Sequence, residues 1–329
     1  MAGLRAMVRA IQFDRFGGPE VLQYREVEVP EPGPGQARVR HTAVGLNFID
    51  VYHRTGLYPL PLPSGLGSEA AGVVVATGSG VDHVRVGDRV AYNAPGSLGA
   101  YSQERVLDAR WLVKLPRAID DRTGAAIMLK GLTAWYLLKR SYEVARGEWI
   151  LLYAAAGGVG LIAAQWARHL GARVIGVVST EAKRALALEH GCEHVLLDGD
   201  DVRARVRELT GGGVPVVYDS VGRDTLFQSL DCLRPHGLLV SFGNSSGKPA
   251  PLELNELMKR GSLYVTRPTL ADFIREPADL DAGTAELFGL IERGVLEIAV
   301  NQTYPLADAA TAHRDLEARR TTGSTVLLP

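Results

Sequence analysis

The feature that most constrains the fold of this 329-residue chain is a rhythm that begins at Trp149. Apolar segments at 149–153, 173–178, 194–197, 216–219, 238–242 and 263–266 start roughly 20 to 25 residues apart, the length of one strand plus a crossover helix in a parallel sheet. The first intervening segment has a helical pattern, with Val159, Ile162, Ala163, Trp166, Ala167 and Leu170 on one face and Gly171 at its end. Six such units predict an α/β fold with a doubly wound parallel sheet.

The turn between the first strand and its helix carries chemistry. It reads Tyr153-Ala154-Ala155-Ala156-Gly157-Gly158-Val159-Gly160, in the place where a dinucleotide fingerprint belongs. Ala155 takes the usual first-glycine position, Gly157 lets the backbone approach a pyrophosphate, and Gly160 permits close helix–strand packing. The helix N-terminus then offers unpaired N–H groups to phosphates. A small-residue turn alone is a weak signal, because packing also uses one; its place in a six-unit array makes it specific.

The second strand bears on which dinucleotide is bound. Chains that select NAD place an Asp or Glu about 20 residues on, at the ribose 2′-hydroxyl. Here Ser179 lies 19 residues beyond Gly160 and is followed by Thr180-Glu181-Ala182-Lys183-Arg184. A hydroxyl and two cations suit a 2′-phosphate, with Lys183 as point charge and Ser179 as donor, so NADPH is the expected cofactor. Two readings of Lys183 and Arg184 stand side by side: phosphate ligands, or solvated residues of the next helix. Glu181, near a helix start, complements the dipole.

The first third has a different texture. Strands are predicted at 7–13, 23–29, 37–44 and 71–77, broken by Gly17-Gly18-Pro19 and the 30–35 run, and continued by 87–90 and 112–115. Residues 123–140 then carry apolar residues at helical spacing without proline. The tail is expected to hold helices near 283–293 and 307–319 and a strand at 324–328, and to return to the first domain.

Composition excludes several functions. The 36 basic residues balance 37 acidic ones, so no global field draws the chain to nucleic acid or an anionic membrane. Two cysteines, Cys192 and Cys232, form neither a disulfide framework nor a CxxC pair, which fits a cytoplasmic protein. Residues 1–10 hold two arginines but no apolar h-region, and no apolar run approaches a membrane span, so neither secretion nor a spanning segment is expected. The cluster His190-Gly191-Cys192-Glu193-His194 straddles a helix end and a strand start, where side chains diverge, so no metal site is expected there. Tyr218-Asp219-Ser220 is placed at a strand's carboxyl end beside the cofactor.

A β-rich first domain followed by a dinucleotide sheet resembles the medium-chain dehydrogenase/reductase superfamily. Its zinc alcohol dehydrogenases carry an early catalytic Cys and a Gly-His-Glu motif. The equivalent stretches here are Gly45-Leu46-Asn47-Phe48-Ile49-Asp50 and Gly67-Ser68-Glu69, whose residues at the ligand positions bind zinc poorly. The resemblance narrows to the quinone oxidoreductase (ζ-crystallin-like) family on Gly147–Leu151 with Ala155–Gly160, Gln165 and Arg168. Also matching are Asn47–Tyr52, Lys130-Gly131-Leu132-Thr133, Tyr218–Gly222, Phe242-Gly243-Asn244-Ser245-Ser246-Gly247 and Tyr264-Val265-Thr266-Arg267-Pro268.

That resemblance implies a GroES-like domain from residues 1–127 and 268–329, a Rossmann domain from 128–267, and NADPH in the cleft between them. The loop Asn47, Phe48, Ile49, Asp50 and Tyr52, with Lys130 and Thr133, is expected on the nicotinamide side. Gly157, Gly158 and Val159 take the pyrophosphate; Ser179, Thr180 and Lys183 the 2′-phosphate; Ser220, Phe242, Gly243, Asn244, Ser245 and Arg267 the remaining cofactor surface. Arg319 closes over it from the tail; one of Arg319 and Arg320 is expected to be solvated, and only the family match picks the first. Asp198 stands where relatives commonly have a Tyr, and an acid there repels a 2′-phosphate mildly. Bland readings accompany these: Tyr52 as a packed tyrosine, Thr133 as a helix hydroxyl, Asn47 as a turn residue.

The expected activity is zinc-independent NADPH:quinone reduction, with Asn47, Tyr52 and Thr133 positioning a flat quinone and no residue assigned as general acid. Alternatives are reduction of an enone or enal and, in another class, an NADPH-holding RNA-binding or redox-sensing protein. Nothing in the sequence determines whether one or two electrons pass. A homodimer is expected, pairing sheet edges near 263–266.

Overall fold

The structure is a computed structural model that describes residues 6–329; residues 1–5 of the N-terminal stretch lie outside the described residues. Two compact units divide the chain. One runs to Leu129 and takes in Thr284–Glu292 and Ile298–Pro329; the other is Lys130–Gly283 with Arg293–Glu297. Residues 268–283, grouped by sequence with the first domain, make their contacts in the second unit.

In the first unit, β1 (Ala6–Phe13) pairs antiparallel with β2 (Gln23–Val29), and β3 (Gln36–Leu46) leads directly into helix α1 (Phe48–Thr55). After the short β4 (Ser64–Gly65) come β5 (Glu69–Thr77), β6 (Arg89–Asn93), β7 (Glu104–Asp108), β8 (Val113–Lys114) and helix α2 (Asp121–Ile127). Strands β3 and β5 form the centre, where Val39, Ala43, Val44, Ala70, Ala71 and Val74 are fully buried. Segment 47–52 is thus not a loop: Asn47 is extended and caps α1, whose acidic first turn and left-handed Gly56 terminus give it both ends of a stable short helix.

The helical stretch expected at 123–140 is interrupted. Helix α2 stops before Met128, α3 (Lys130–Tyr136) begins afresh, and a π turn follows at Leu137–Ser141. The break has a physical cause, since the Leu129 N–H donates to Glu69 Oε1 at 2.7 Å instead of joining a helical ladder.

The second unit continues with β9 (Trp149–Tyr153), α4 (Gly158–His169), β10 (Arg173–Val178), α5 (Glu181–Glu189), β11 (His194–Leu197), α6 (Val202–Thr210), β12 (Val214–Asp219), α7 (Leu226–Asp231), β13 (Leu233–Ser241), α8 (Leu254–Lys259) and β14 (Tyr264–Thr266). Its six strands lie in the order β11-β10-β9-β12-β13-β14 and every pairing is parallel. This is the doubly wound sheet that the rhythm predicts. Leu151, Ile175, Val214, Val217 and Leu239 are fully buried in its core.

The tail comprises α9 (Leu270–Phe273), α10 (Pro277–Glu292), β15 (Val300–Pro305), α11 (Ala309–Glu317) and β16 (Ser324–Leu328). Strand β16 pairs antiparallel with β3, so the chain's end returns to the first unit's sheet, which runs β15-β16-β3-β5-β6-β8. The two-residue β4 escapes the sequence reading, and so do two longer strands, β7 and β15. The second alternates half-buried and exposed residues and ends in Pro305, a weak edge-strand pattern.

Candidate active site

Strand order reverses between β9 and β12, and the crevice beyond the carboxyl ends of such strands is where parallel sheets bind ligands. The turn after β9 is tight. Ala154 has φ of 52°, a left-handed conformation uncommon outside glycine, and its carbonyl accepts from Gly157 N at 2.9 Å. A Cβ on Gly160 would lie 2.3 Å from Ala154 O, so only glycine lets α4 pack this closely on the turn. Gly157 gives α4 no side-chain cap. The first-turn amides have no intrahelical acceptors, and with Gly157, Gly158 and Val159 at the turn they fit a pyrophosphate.

At the end of β10 the structure separates the two cations. Lys183 Nζ lies 3.4 Å from Ser179 Oγ, while Thr180 Oγ1 accepts from Lys183 N at 3.3 Å as the cap of α5. Arg184 instead faces acids, 3.4 Å from Glu181 and 3.8 Å from Asp200. Asp198 N donates to Val178 O at 2.9 Å, so the acid sits beside Ser179 in the sheet.

Beyond β12, Asp219 is fully buried and organises the adjacent loops. Its Oδ1 accepts from Val221 N (2.7 Å) and Gly222 N (3.1 Å), and its Oδ2 from Thr225 and Ser229 hydroxyls, both at 2.7 Å. Tyr218 points elsewhere, donating to Leu137 O at 3.0 Å, and Ser220 remains half-buried at the crevice. A Cβ on Gly243 would meet Ser220 O at 2.4 Å, so the Phe242–Ser245 loop lies backbone to backbone against it. Arg267 Nη1 donates to Ser241 O (2.7 Å) and Gly243 O (3.2 Å), which braces that loop. Lys130 and Thr133 are both buried on α3.

The first unit, taken by itself, holds a connected set of buried polar groups. Asn47 N donates to Asp50 Oδ2 at 2.9 Å and Asn47 Nδ2 to Glu69 Oε2 at 2.7 Å. Tyr101 Oη donates to the same Asp50 oxygen at 2.9 Å and accepts from His313 Nε2 at 3.1 Å. His313 Nδ1 accepts from Arg54, whose guanidinium also makes two bonds to Glu317, at 2.7 and 2.9 Å, and one to Gly17 O at 3.1 Å. Asp50, Glu69, Arg54 and His313 are all fully buried. Because Arg54 can only donate, the direction of every bond in this chain is set and His313 carries its proton on Nε2. Burial and then the Arg54 charge hold the His313 pKa down at about 3, so it stays neutral and is not an imidazolium acid.

Tyr52 is buried on α1 between two rings, 5.5 Å from Phe48 and 5.2 Å edge-on from Tyr58. Ile49 is half-buried on the same helix. Arg319 is exposed at a left-handed position just past α11, and its neighbour Arg320 pairs with Asp315 at 3.0 Å. Sequence reasoning missed Arg54, Tyr101 and His313 altogether. Glu69 stood inside a quoted motif but had no assigned role, because its partners are distant in sequence.

Among the described residues no group of three His, Cys, Asp or Glu side chains could hold a metal ion. In the 190–194 cluster each side chain has gone its own way: His190 to Leu186 O, Cys192 into the interior, Glu193 to Arg173 and His194 against Trp149. Burial pushes the thiols of Cys192 and Cys232 up to about 12, which leaves them unreactive. No helix of the described residues is long and apolar enough to cross a membrane.

Two family models match the chain, an alcohol dehydrogenase GroES-like domain over residues 33–117 and a zinc-binding dehydrogenase over 158–279. A quinone oxidoreductase of Pseudomonas aeruginosa is 58% identical over 98% of this chain and all of its own length. A 2-haloacrylate reductase of a Burkholderia species is 48% identical, covering 98% of this chain and 99% of that protein. Among solved structures, the Escherichia coli quinone oxidoreductase complexed with NADPH superposes with a TM-score of 0.96 at 50% identity, covering 98% of this chain and 100% of that one.

Proposed function

Because the chain belongs to the quinone oxidoreductase family of the medium-chain dehydrogenase/reductase superfamily, we propose that it is a zinc-independent NADPH:quinone reductase. The observation that carries this reading is the full-length similarity to an NADPH-bound quinone oxidoreductase, joined to a glycine turn and a Ser179–Lys183 pair suited to a phosphorylated dinucleotide. The nicotinamide supplies the reducing equivalents. Gly157, Gly158 and Val159 hold the pyrophosphate, Ser179, Thr180 and Lys183 the 2′-phosphate, and Ser220 with Phe242–Ser245, braced by Arg267, the remaining cofactor surface. Phe48, Ile49, Asp50, Lys130 and Arg319 complete the cofactor set. Asn47, Tyr52 and Thr133 line the quinone position and exclude water from it. Neutral His313, with both ring nitrogens engaged, takes no part as an acid.

Zinc-independence is supported by Asn47 and Ser68 at the two positions where zinc enzymes place ligands; Ser68 Oγ donates to Asn93 at 2.9 Å instead. The protein works in the cytoplasm, as a homodimer formed through the edge strand β14, where Tyr264 is 61% exposed. Its domains follow the GroES-like and Rossmann division. A second reading, reduction of an activated C=C bond beside a carbonyl, is favoured by the 2-haloacrylate reductase at 48% identity. NADPH oxidation measured with 1,4-naphthoquinone, phenanthrenequinone, an alkenal and 2-chloroacrylate separates the two. Turnover confined to the alkenal or haloacrylate would overturn the quinone reading. Stoichiometric zinc in the active purified protein would remove zinc-independence.

A further inference from the structure

Sequence can place an amide at position 47 but cannot say which end of it meets a ligand. The structure decides. Asn47 Nδ2 donates to Glu69 Oε2 at 2.7 Å, and a carboxylate only accepts, so the amide is locked with its nitrogen toward Glu69. Glu69 cannot swing away to release it. It is fully buried, its other oxygen accepts from Leu129 N at 2.7 Å, and a Cβ on Gly45 would stand 2.4 Å from Oε2. Asn47 itself is 4% exposed, and its Oδ1 is buried without a hydrogen-bond partner. Asn47 and Asp50 stand in a capping-box arrangement, but the hydrogen bond of the Asp50 amide goes to Asn47's own carbonyl at 3.0 Å, while the Asp50 carboxylate takes Asn47 N at 2.9 Å.

We propose that Glu69 is a positioning residue that makes Asn47 a hydrogen-bond acceptor toward the ligand, so that this point of the site selects a donor. The proposal rests on the reading of Asn47 as ligand-facing. A quinone carbonyl is itself an acceptor and gains nothing from Oδ1. Two groups in the proposed reaction can donate there, the carboxamide N–H of the nicotinamide and the O–H of the reduced product. Glu69 acts on these groups through Asn47, by setting the polarity of its amide.

The test is Glu69→Gln. The Leu129 N–H cannot reverse, so the glutamine oxygen faces it and the glutamine NH2 faces Asn47, whose amide turns over and presents nitrogen to the ligand. Equilibrium binding is measured for NADPH and for its 3-acetylpyridine analogue, in which a methyl replaces the amide nitrogen; inhibition is measured with an anaerobically reduced naphthoquinone. If the carboxamide is the donor, the wild type binds NADPH about three- to tenfold more tightly than the analogue, the worth of one hydrogen bond, and Glu69→Gln abolishes or inverts that preference. If the product hydroxyl is the donor, the two dinucleotides bind alike in both proteins and hydroquinone inhibition weakens by a similar factor in Glu69→Gln. Folded Glu69→Gln with neither quantity changed overturns the proposal. Should that variant not fold, Asn47→Ala removes the acceptor and must produce the same loss; unchanged binding there overturns it equally. The NADPH-to-NADH affinity ratio of Lys183→Ala reports on the cofactor reading alone, so the two failures are distinguishable.

Discussion

The candidate site in the second unit is built from backbone, that in the first from side chains. Around the β9–α4 turn the working parts are amides, a left-handed Ala154 and the missing Cβ of Gly160, all within eight consecutive residues, 153–160. Around α1 they are carboxylates, a phenol, an imidazole and a guanidinium gathered from four parts of the chain, with Arg54 and His313 separated by 259 positions. A backbone site survives most substitutions but fails when a Cβ appears. A side-chain network tolerates small volume changes but fails when one partner leaves the others buried and unpaired.

The largest effect that would break this contrast is expected in the first unit. Arg54→Met removes a buried cation from Glu317, His313 and Gly17 O and is expected to cost about 3 to 5 kcal/mol in denaturant unfolding. A loss under 1 kcal/mol would mean the network is decoration. Acid should act on the same unit. His41 is buried between Ser102 O and Tyr92, with its pKa held down at about 4, and His313 is held at about 3. Unfolding restores the ordinary value near 6.5, so between that pH and about 4 the unfolded chain binds more protons and stability falls as pH falls. The slope is about 1.4 kcal/mol per pH unit for each histidine. A flat profile from pH 6.5 to 4.5 would contradict the neutral, buried assignment.

In the second unit the predicted effects are smaller and fall on binding. Gly160→Ala drives a methyl against Ala154 O and is expected to cost about 1 to 3 kcal/mol, together with weaker binding of NADPH and NADH alike. Lys183→Ala should weaken NADPH about 10- to 100-fold by fluorescence titration while leaving NADH nearly unchanged, the worth of one charged hydrogen bond. The smallest effect is assigned to Arg184→Gln. Its partners are Glu181 and Asp200 on a half-exposed surface, so stability should shift by no more than about 0.5 kcal/mol and the cofactor ratio should hold. If Arg184→Gln matched Lys183→Ala, the division of labour between the two cations would be wrong.

What could be read in advance follows the same line. The six parallel strands, their helices and the glycine turn were legible because each is specified by neighbours in sequence, through a strand-plus-helix period and local sterics. The helix at Phe48–Thr55 was not, since eight residues give too short a period and its N-terminal signal, Asn47 with Asp50, also suits a turn. The helix break at Leu129 was invisible because a side chain 60 positions away captures its amide. Lys183 and Arg184 could not be told apart in the sequence, and the geometry sets Arg184 against acids and Lys183 beside Ser179.

The sequence by itself determined the doubly wound sheet, the place of the glycine turn and the set of candidate ligand residues, because period, glycine and charge act over a few residues. Only the tertiary structure decided that His313 is neutral, that Arg54 is buried and paired, and that Asn47 turns its amide nitrogen to Glu69. Those properties belong to groups brought together from distant positions, and protonation, pairing and amide orientation are set by what each group faces.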